Sequence, residues 1–134
     1  VGKATIVDYE KIEGFRRGNG VLTRLLIGSE NAEETIFTSG TTVFPAGCSA
    51  PMHSHNCCEQ VTILEGEAEV VVDGESRRVG RLDTSFIPAN LPHRFINIGK
   101  GDLVILWVYG ARDVTRTFTD TGETVAHLSR TDQV

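Results

Sequence analysis

At 134 residues, 40% of them hydrophobic and 23% charged, the chain has the size and balance of one soluble globular domain. Its 13 Lys and Arg stand against 18 Asp and Glu, a net charge of −5, and its basic pairs Arg16-Arg17 and Arg77-Arg78 are far too short for a nucleic-acid footprint. No apolar run approaches the ~18 residues of a membrane helix, and three cysteines, two of them adjacent, make no disulfide framework.

Nucleic acid and membrane are therefore excluded as partners, and a cytoplasmic location is expected. The first residues, Val1 to Thr5, have no apolar signal core, although a segment removed before Val1 would leave no trace.

In chain order, residues 1–20 read as a polar loop around a short strand or turn, punctuated by Gly14, Gly18 and Gly20. Val21 to Ile27 predicts a strand closed by Gly28-Ser29. Thr35 to Phe44, rich in Thr, Val, Ile and Phe, predicts β structure with a turn at Ser39-Gly40 and a stop at Pro45. Gln60 to Leu64 predicts a strand ending at Glu65-Gly66. Asp73-Gly74, between Ala68–Val72 and Glu75–Val79, predicts a tight hairpin.

Thr84–Ile87 and Arg94–Ile98 follow as strands. Leu103 to Tyr109 is a near-continuous apolar run, which predicts a strand buried on both faces. Residues 111–134 are charged and Thr-rich, with Val125-Ala126-His127-Leu128 as their one apolar patch. Short strands with turn signals every ~8–12 residues predict an all-β antiparallel sandwich or barrel.

The chemistry-bearing residues fall in two stretches. The first runs from Gly47 through His53, His55 and Glu59 to Gly66; the second from Asp83 through Pro88, Asn90 and His93 to Asn97. Imidazoles at i and i+2 share one side of a strand. A carboxylate at the start of the next strand and a third imidazole would complete a nitrogen and oxygen site for a divalent transition metal.

These stretches resemble the paired motifs of the cupin superfamily. The first motif (Gly, five residues, His-x-His, three or four residues, Glu, six residues, Gly) is met at every position by Gly47, His53, His55, Glu59 and Gly66. The second is met by Pro88, His93 and Asn97. It departs at Leu82 and Asn90, where glycines are usual; Asn tolerates a left-handed backbone best after glycine. The resemblance covers roughly residues 43–110. It implies a small antiparallel jelly-roll barrel (a double-stranded β-helix) as a single cupin domain over 1–134. Its core would span about 21–110, with the terminal segments packed outside or on a partner, hence a homodimer.

The implied metal ligands are His53, His55, Glu59 and His93. Fe or Mn is favoured for function, and Zn, Ni or Cu also suit the donor set. Four protein ligands would leave open positions, the mark of a catalytic site. Glu59 is also a candidate base, secondary to its role as a ligand. Cys57 and Cys58 lie between His55 and Glu59, and are read as packing residues rather than thiolate ligands.

Candidate pocket walls are Phe44, Met52, Phe95, Trp107 and Tyr109, with Arg24 as a candidate for a substrate carboxylate. The expected function is a metal-dependent enzyme on a small organic acid, carbonyl or enol, with Fe(II) dioxygenase chemistry first. Isomerase, decarboxylase or lyase chemistry and a non-catalytic ligand-binding cupin are the alternatives.

Overall fold

Short strands with one apolar side make two half-apolar sheets that cover each other. The computed structural model describes residues 2–134. The first sheet contains β1 (Phe15–Arg16), β2 (Leu22–Ile27), β3 (Thr38–Phe44), β5 (Glu59–Glu65), β8 (Thr84–Ile87) and β10 (Leu103–Tyr109), in the order β1-β2-β3-β10-β5-β8. The second contains β4 (His53–His55), β6 (Ala68–Val72), β7 (Glu75–Val79), β9 (His93–Asn97), β11 (Thr115–Phe118) and β12 (Thr124–Ala126), in the order β12-β11-β4-β9-β6-β7. The named strand pairs are antiparallel, as a jelly-roll barrel requires. No helix among the described residues is long and apolar enough to cross a membrane.

The core lies between the sheets. Val61 and Ile63 from β5, Ile87 from β8, and Leu103 and Ile105 from β10 meet Val70 and Phe95 there. Asp73 (φ 49) and Gly74 (φ 78) both take left-handed conformations, the twist that a two-residue hairpin between β6 and β7 needs. Asn97 explains its place in the second motif. Its Nδ2 donates to the carbonyls of Phe44, Pro45 and Gly101, and its Oδ1 accepts from Gly99 N–H, so one buried amide ties β9 to two loops.

Three expectations are corrected. Ser39-Gly40 is no turn: β3 runs straight through it. A Cβ at Gly40 would lie 2.3 Å from the Trp107 indole and 2.4 Å from the Arg24 carbonyl, so the glycine makes room for a neighbouring ring. β10 is not buried on both faces. Leu103, Ile105, Trp107 and Tyr109 are buried, whereas Val104, Leu106 and Val108 are partly exposed, because the outward face of β10 is only partly covered. Residues 111–134, expected outside the barrel or on a partner, instead add β11 and β12 to the second sheet and bury Arg116, Phe118, Val125 and Asp132.

Leu82 holds φ 72 where the resemblance expects glycine, and its side chain is 59% exposed. An L-residue in that region costs ~1–2 kcal/mol, while glycine's greater unfolded freedom returns ~0.5–1 kcal/mol. Little burial is lost. Leu82→Gly should therefore raise stability by up to about 1.5 kcal/mol, a Tm gain of up to about 6 °C in a thermal melt. A lower Tm would show that the turn is not strained.

Candidate metal centre

His53 and His55 occupy the two inward positions of β4, and both are buried. His93 opens β9 directly opposite His53 in register. Opposed Cβ atoms on one sheet face are only ~4.5–5.5 Å apart, so the three rings must meet. Their centroids are 4.5 Å (His53–His93), 4.9 Å (His53–His55) and 5.3 Å (His55–His93) apart. One nitrogen from each lies within 4.8 Å of the others.

The outer nitrogens set the tautomers. Nδ1 of His53 is 2.7 Å from the Pro51 carbonyl, that of His55 3.1 Å from Thr115, and that of His93 2.9 Å from Leu91. A carbonyl only accepts, so each Nδ1 carries the proton and a neutral ring keeps its Nε2 lone pair for the cavity. Burial pushes His53 well below its ordinary range, with the Arg116 charge adding to it. It pushes His55 down to about 4, although Glu59 opposes the shift. Both rings are neutral bases at pH 7.

Glu59 arrives from the other sheet, at the start of β5 and opposite Tyr109 of β10. Its Oε1 lies 3.0 Å from His93 Nε2 and 3.7 Å from His55 Nε2. Glu59 Oε1 and His93 Nε2 are both buried without a hydrogen-bond partner. A carboxylate oxygen and an imidazole lone pair at that distance repel unless a proton or a cation lies between them. A divalent ion fits this donor set, which offers three imidazole nitrogens and one carboxylate oxygen. The Tyr109 hydroxyl lies 3.4 Å from His55 Nε2. Burial, then the Glu59 charge, pushes Tyr109 well above the usual phenol range, so it remains a neutral donor beside the site.

The four expected ligands thus converge. Phe44, Phe95, Trp107 and Tyr109 line the same cavity, whose volume is about 50 Å³; Met52 and Arg24 do not. Arg24 follows inward-facing Thr23 on β2, so it turns outward, where its guanidinium sits 5.3 Å from the Tyr9 ring. Met52 is spent in the loop before β4, where its carbonyl accepts from Thr119 N–H. Cys57 and Cys58 also lie outside the cavity lining. Burial, then Cys58, raises the Cys57 thiol to about 11, so it offers no thiolate.

Among the lining residues not expected from the sequence, three are titratable or charged: Arg17, Arg116 and His127. The alternation Thr115-Arg116-Thr117-Phe118 puts Arg116 on the same side as Phe118, a strand signal overlooked beside the charged residues around it. His127 sits in the one apolar patch of residues 111–134. Its ring lies 5.0 Å from Tyr109, 5.1 Å from Trp107 and 6.4 Å from His55. Arg17 follows no pattern in its own neighbourhood.

Burial pushes His127 down to about 3, with Asp132 opposing and Arg17 and Arg116 adding. An unfolded histidine protonates near pH ~6.5. As pH falls, the unfolded chain therefore binds this proton first, and stability drops from about pH 6.5 toward the folded value at ~1.4 kcal/mol per pH unit for each such group. Metal-free protein should lose Tm steadily between pH 6.5 and 4.5, and His127→Phe should flatten the slope by about one proton. An unchanged slope in that variant would show that His127 is not buried as a neutral ring.

Comparison with known proteins agrees with this geometry. A family model described as a cupin domain matches residues 40–109. An uncharacterized protein of Methanocaldococcus jannaschii is 30% identical over 100 residues, 74% of this chain and 80% of its own length. The polyketide synthase CurC of Streptomyces cyaneus is 32% identical over 95 residues, 70% of this chain and 61% of its own. Among solved structures, a cupin-superfamily sugar phosphate isomerase of Silicibacter pomeroyi superposes with a TM-score of 0.75 at 19% identity, over 90% of this chain and 85% of that one. With both motifs present, its histidines gathered on one inner face and the family model matched over more than half its length, this chain belongs to the cupin family.

Proposed function

We propose that this chain is a metal-dependent enzyme acting on a small oxygenated organic acid, carbonyl or enol. His53, His55, His93 and Glu59 would hold the ion, with Fe or Mn favoured and Zn, Ni or Cu compatible. The observation that carries the reading is the convergence of one nitrogen from each of three buried histidines, whose Nδ1 atoms each face a backbone carbonyl, with one orphaned carboxylate oxygen beside them.

When bound, such an ion polarises an oxygen of the substrate as a Lewis acid. The chain does the rest. Phe44, Phe95 and Trp107 exclude water and keep the local dielectric low, which strengthens every charge interaction inside. Tyr109 keeps its proton and can donate a hydrogen bond to a substrate oxygen beside His55. Glu59 Oε1, with no protein donor of its own, is free to ligate or to hold a proton. Ligand pockets usually run ~300–1,000 Å³, so a cavity of about 50 Å³ selects a reacting fragment of few atoms.

Dioxygenase chemistry is the first reading. The second is isomerase, decarboxylase or lyase chemistry with Glu59 as the base. It draws support from the orphaned oxygen and from the relative named as a polyketide synthase, since polyketide carbonyls are acidified at neighbouring carbons. A homodimer belongs to the same proposal, supported by Phe86, which is 69% exposed on the edge strand β8.

Chelator-stripped protein should take up close to one ion per chain, and His93→Ala should weaken loading by at least about tenfold in elemental analysis. Wild-type protein that stays empty when offered Fe(II), Mn(II), Ni(II) and Zn(II) would refute the metal centre. Oxygen uptake should match turnover across a panel of diketones, hydroxy acids and catechol-like compounds. Turnover unchanged under strict anaerobiosis would eliminate the dioxygenase reading; Glu59→Gln should then cut kcat by about 10²-fold or more if Glu59 is the base.

A further inference from the structure

A second buried charge cluster borders the same cavity. Arg116 on β11 lies opposite His55 in register, so its side chain enters the barrel on the same sheet face. It is 3% exposed, and it lines the cavity together with Arg17 and the three histidines. A guanidinium removed from water needs acceptors. Asp132, fully buried, supplies them. Its Oδ1 is 2.9 Å from Arg116 Nη1 and 3.1 Å from Arg17 Nη1, and its Oδ2 accepts from Arg17 Nη2 at 3.2 Å and Leu128 N–H at 2.8 Å.

The two arginines are not equivalent. Every nitrogen of Arg17 is engaged: Nε donates to Thr23 Oγ1, Nη1 to the Asp132 carbonyl and Nη2 to the Asp132 carboxylate. Both hydrogen bonds of Arg116 leave from Nη1, to Asp132 and to the Val134 carbonyl. Among the described residues, no acceptor meets its Nε or Nη2. Those two N–H groups form one edge of the guanidinium, the fork that matches the two oxygens of a carboxylate. The Phe118 ring, 4.8 Å from the guanidinium carbon, steadies that side chain.

Charge balance also calls for an anion. Arg17 and Arg116 both line the cavity and share the one carboxylate of Asp132, and Glu59 is the one acidic side chain in the lining. A divalent ion would add positive charge inside a low-dielectric barrel, which an anionic ligand would offset.

We propose that Arg116 anchors the carboxylate of the substrate, with Asp132 and Arg17 as the positioning residues that hold it. The substrate class is then a short carboxylic acid whose second oxygen, a carbonyl or hydroxyl, faces the metal position. This rests on the metal-dependent reading above and narrows it. The carboxylate anchor expected at Arg24 is replaced by a residue that reaches the cavity.

The test is calorimetric titration of Zn(II)-loaded and chelator-stripped protein with pyruvate, its neutral analogue pyruvamide, and inorganic phosphate. Loaded wild-type protein should bind pyruvate at least about tenfold more tightly than pyruvamide, the value of one charge-assisted hydrogen-bonded pair. Arg116→Lys keeps the charge and loses the fork, and Arg116→Gln loses both. Each should bring the two affinities within about twofold while metal content stays at the wild-type level.

Asp132→Asn should lower the pyruvate-to-pyruvamide ratio with pyruvamide affinity unchanged, an effect that general loosening would not produce. If the Gln variant fails to fold, the Lys variant decides. Undiminished pyruvate binding in Arg116→Lys overturns the anchor, as does wild-type protein that treats pyruvate and pyruvamide alike. Tighter binding of phosphate than of pyruvate overturns the carboxylate class. Wild-type protein that refuses metal defeats the metal reading instead, and the pyruvate preference of the stripped protein, with or without Arg116, then judges the anchor alone.

Discussion

Three backbone carbonyls, those of Pro51, Leu91 and Thr115, govern the centre of this protein. Each takes the Nδ1 proton of one histidine and so turns that ring's lone pair inward. Without them the imidazoles could rotate or change tautomer, and their nearness would carry no chemical meaning. The carbonyls lie outside the two long motifs' ligand positions: two in the loops just before β4 and β9, one on β11. The strand register that sets them is therefore as much a part of the site as the histidines.

The facing sheet supplies the opposite requirement. Glu59 and Tyr109, cross-strand neighbours on β5 and β10, bring an anionic acceptor and a neutral donor to the same point. Three imidazoles on one sheet and a carboxylate on the other make the centre a junction across the barrel. An ion held there would staple the two sheets together, so folding and ion binding would be thermodynamically linked.

The segments flanking the core barrel are bound into the same region. Asp132 joins Arg17 from near the chain's start to Arg116 on β11, with both carboxylate oxygens engaged. Burial alone would raise its pKa. The Arg17 hydrogen bond and charge, the Leu128 N–H and Arg116 together hold it below the usual carboxylate range. A buried ion cluster of this kind adds little net stability against an apolar replacement. What it does add is position: it holds Arg116 in the lining of the cavity that the three histidines share, with both of its hydrogen bonds leaving from Nη1.

The local pattern of residues was enough to determine much of this protein. Period-2 alternation, the Asp73-Gly74 turn and the His-x-His spacing are short-range properties, and they placed most strands and put His53 and His55 on one inward face. They failed where the deciding neighbour was distant in the chain. Gly40 looked like a turn because its reason, the Trp107 ring, lies on another strand. Arg24 and Arg116 are both arginines within strands; only the facing of β2 and β11 sends one to solvent and the other to the cavity. His127 and Arg17 reached the pocket by long-range closure that no local period encodes. The sequence by itself determined which donors could hold a metal, because strand geometry aims neighbouring side chains. Only the tertiary structure decided what else surrounds them, because that depends on which distant segments the two sheets bring together.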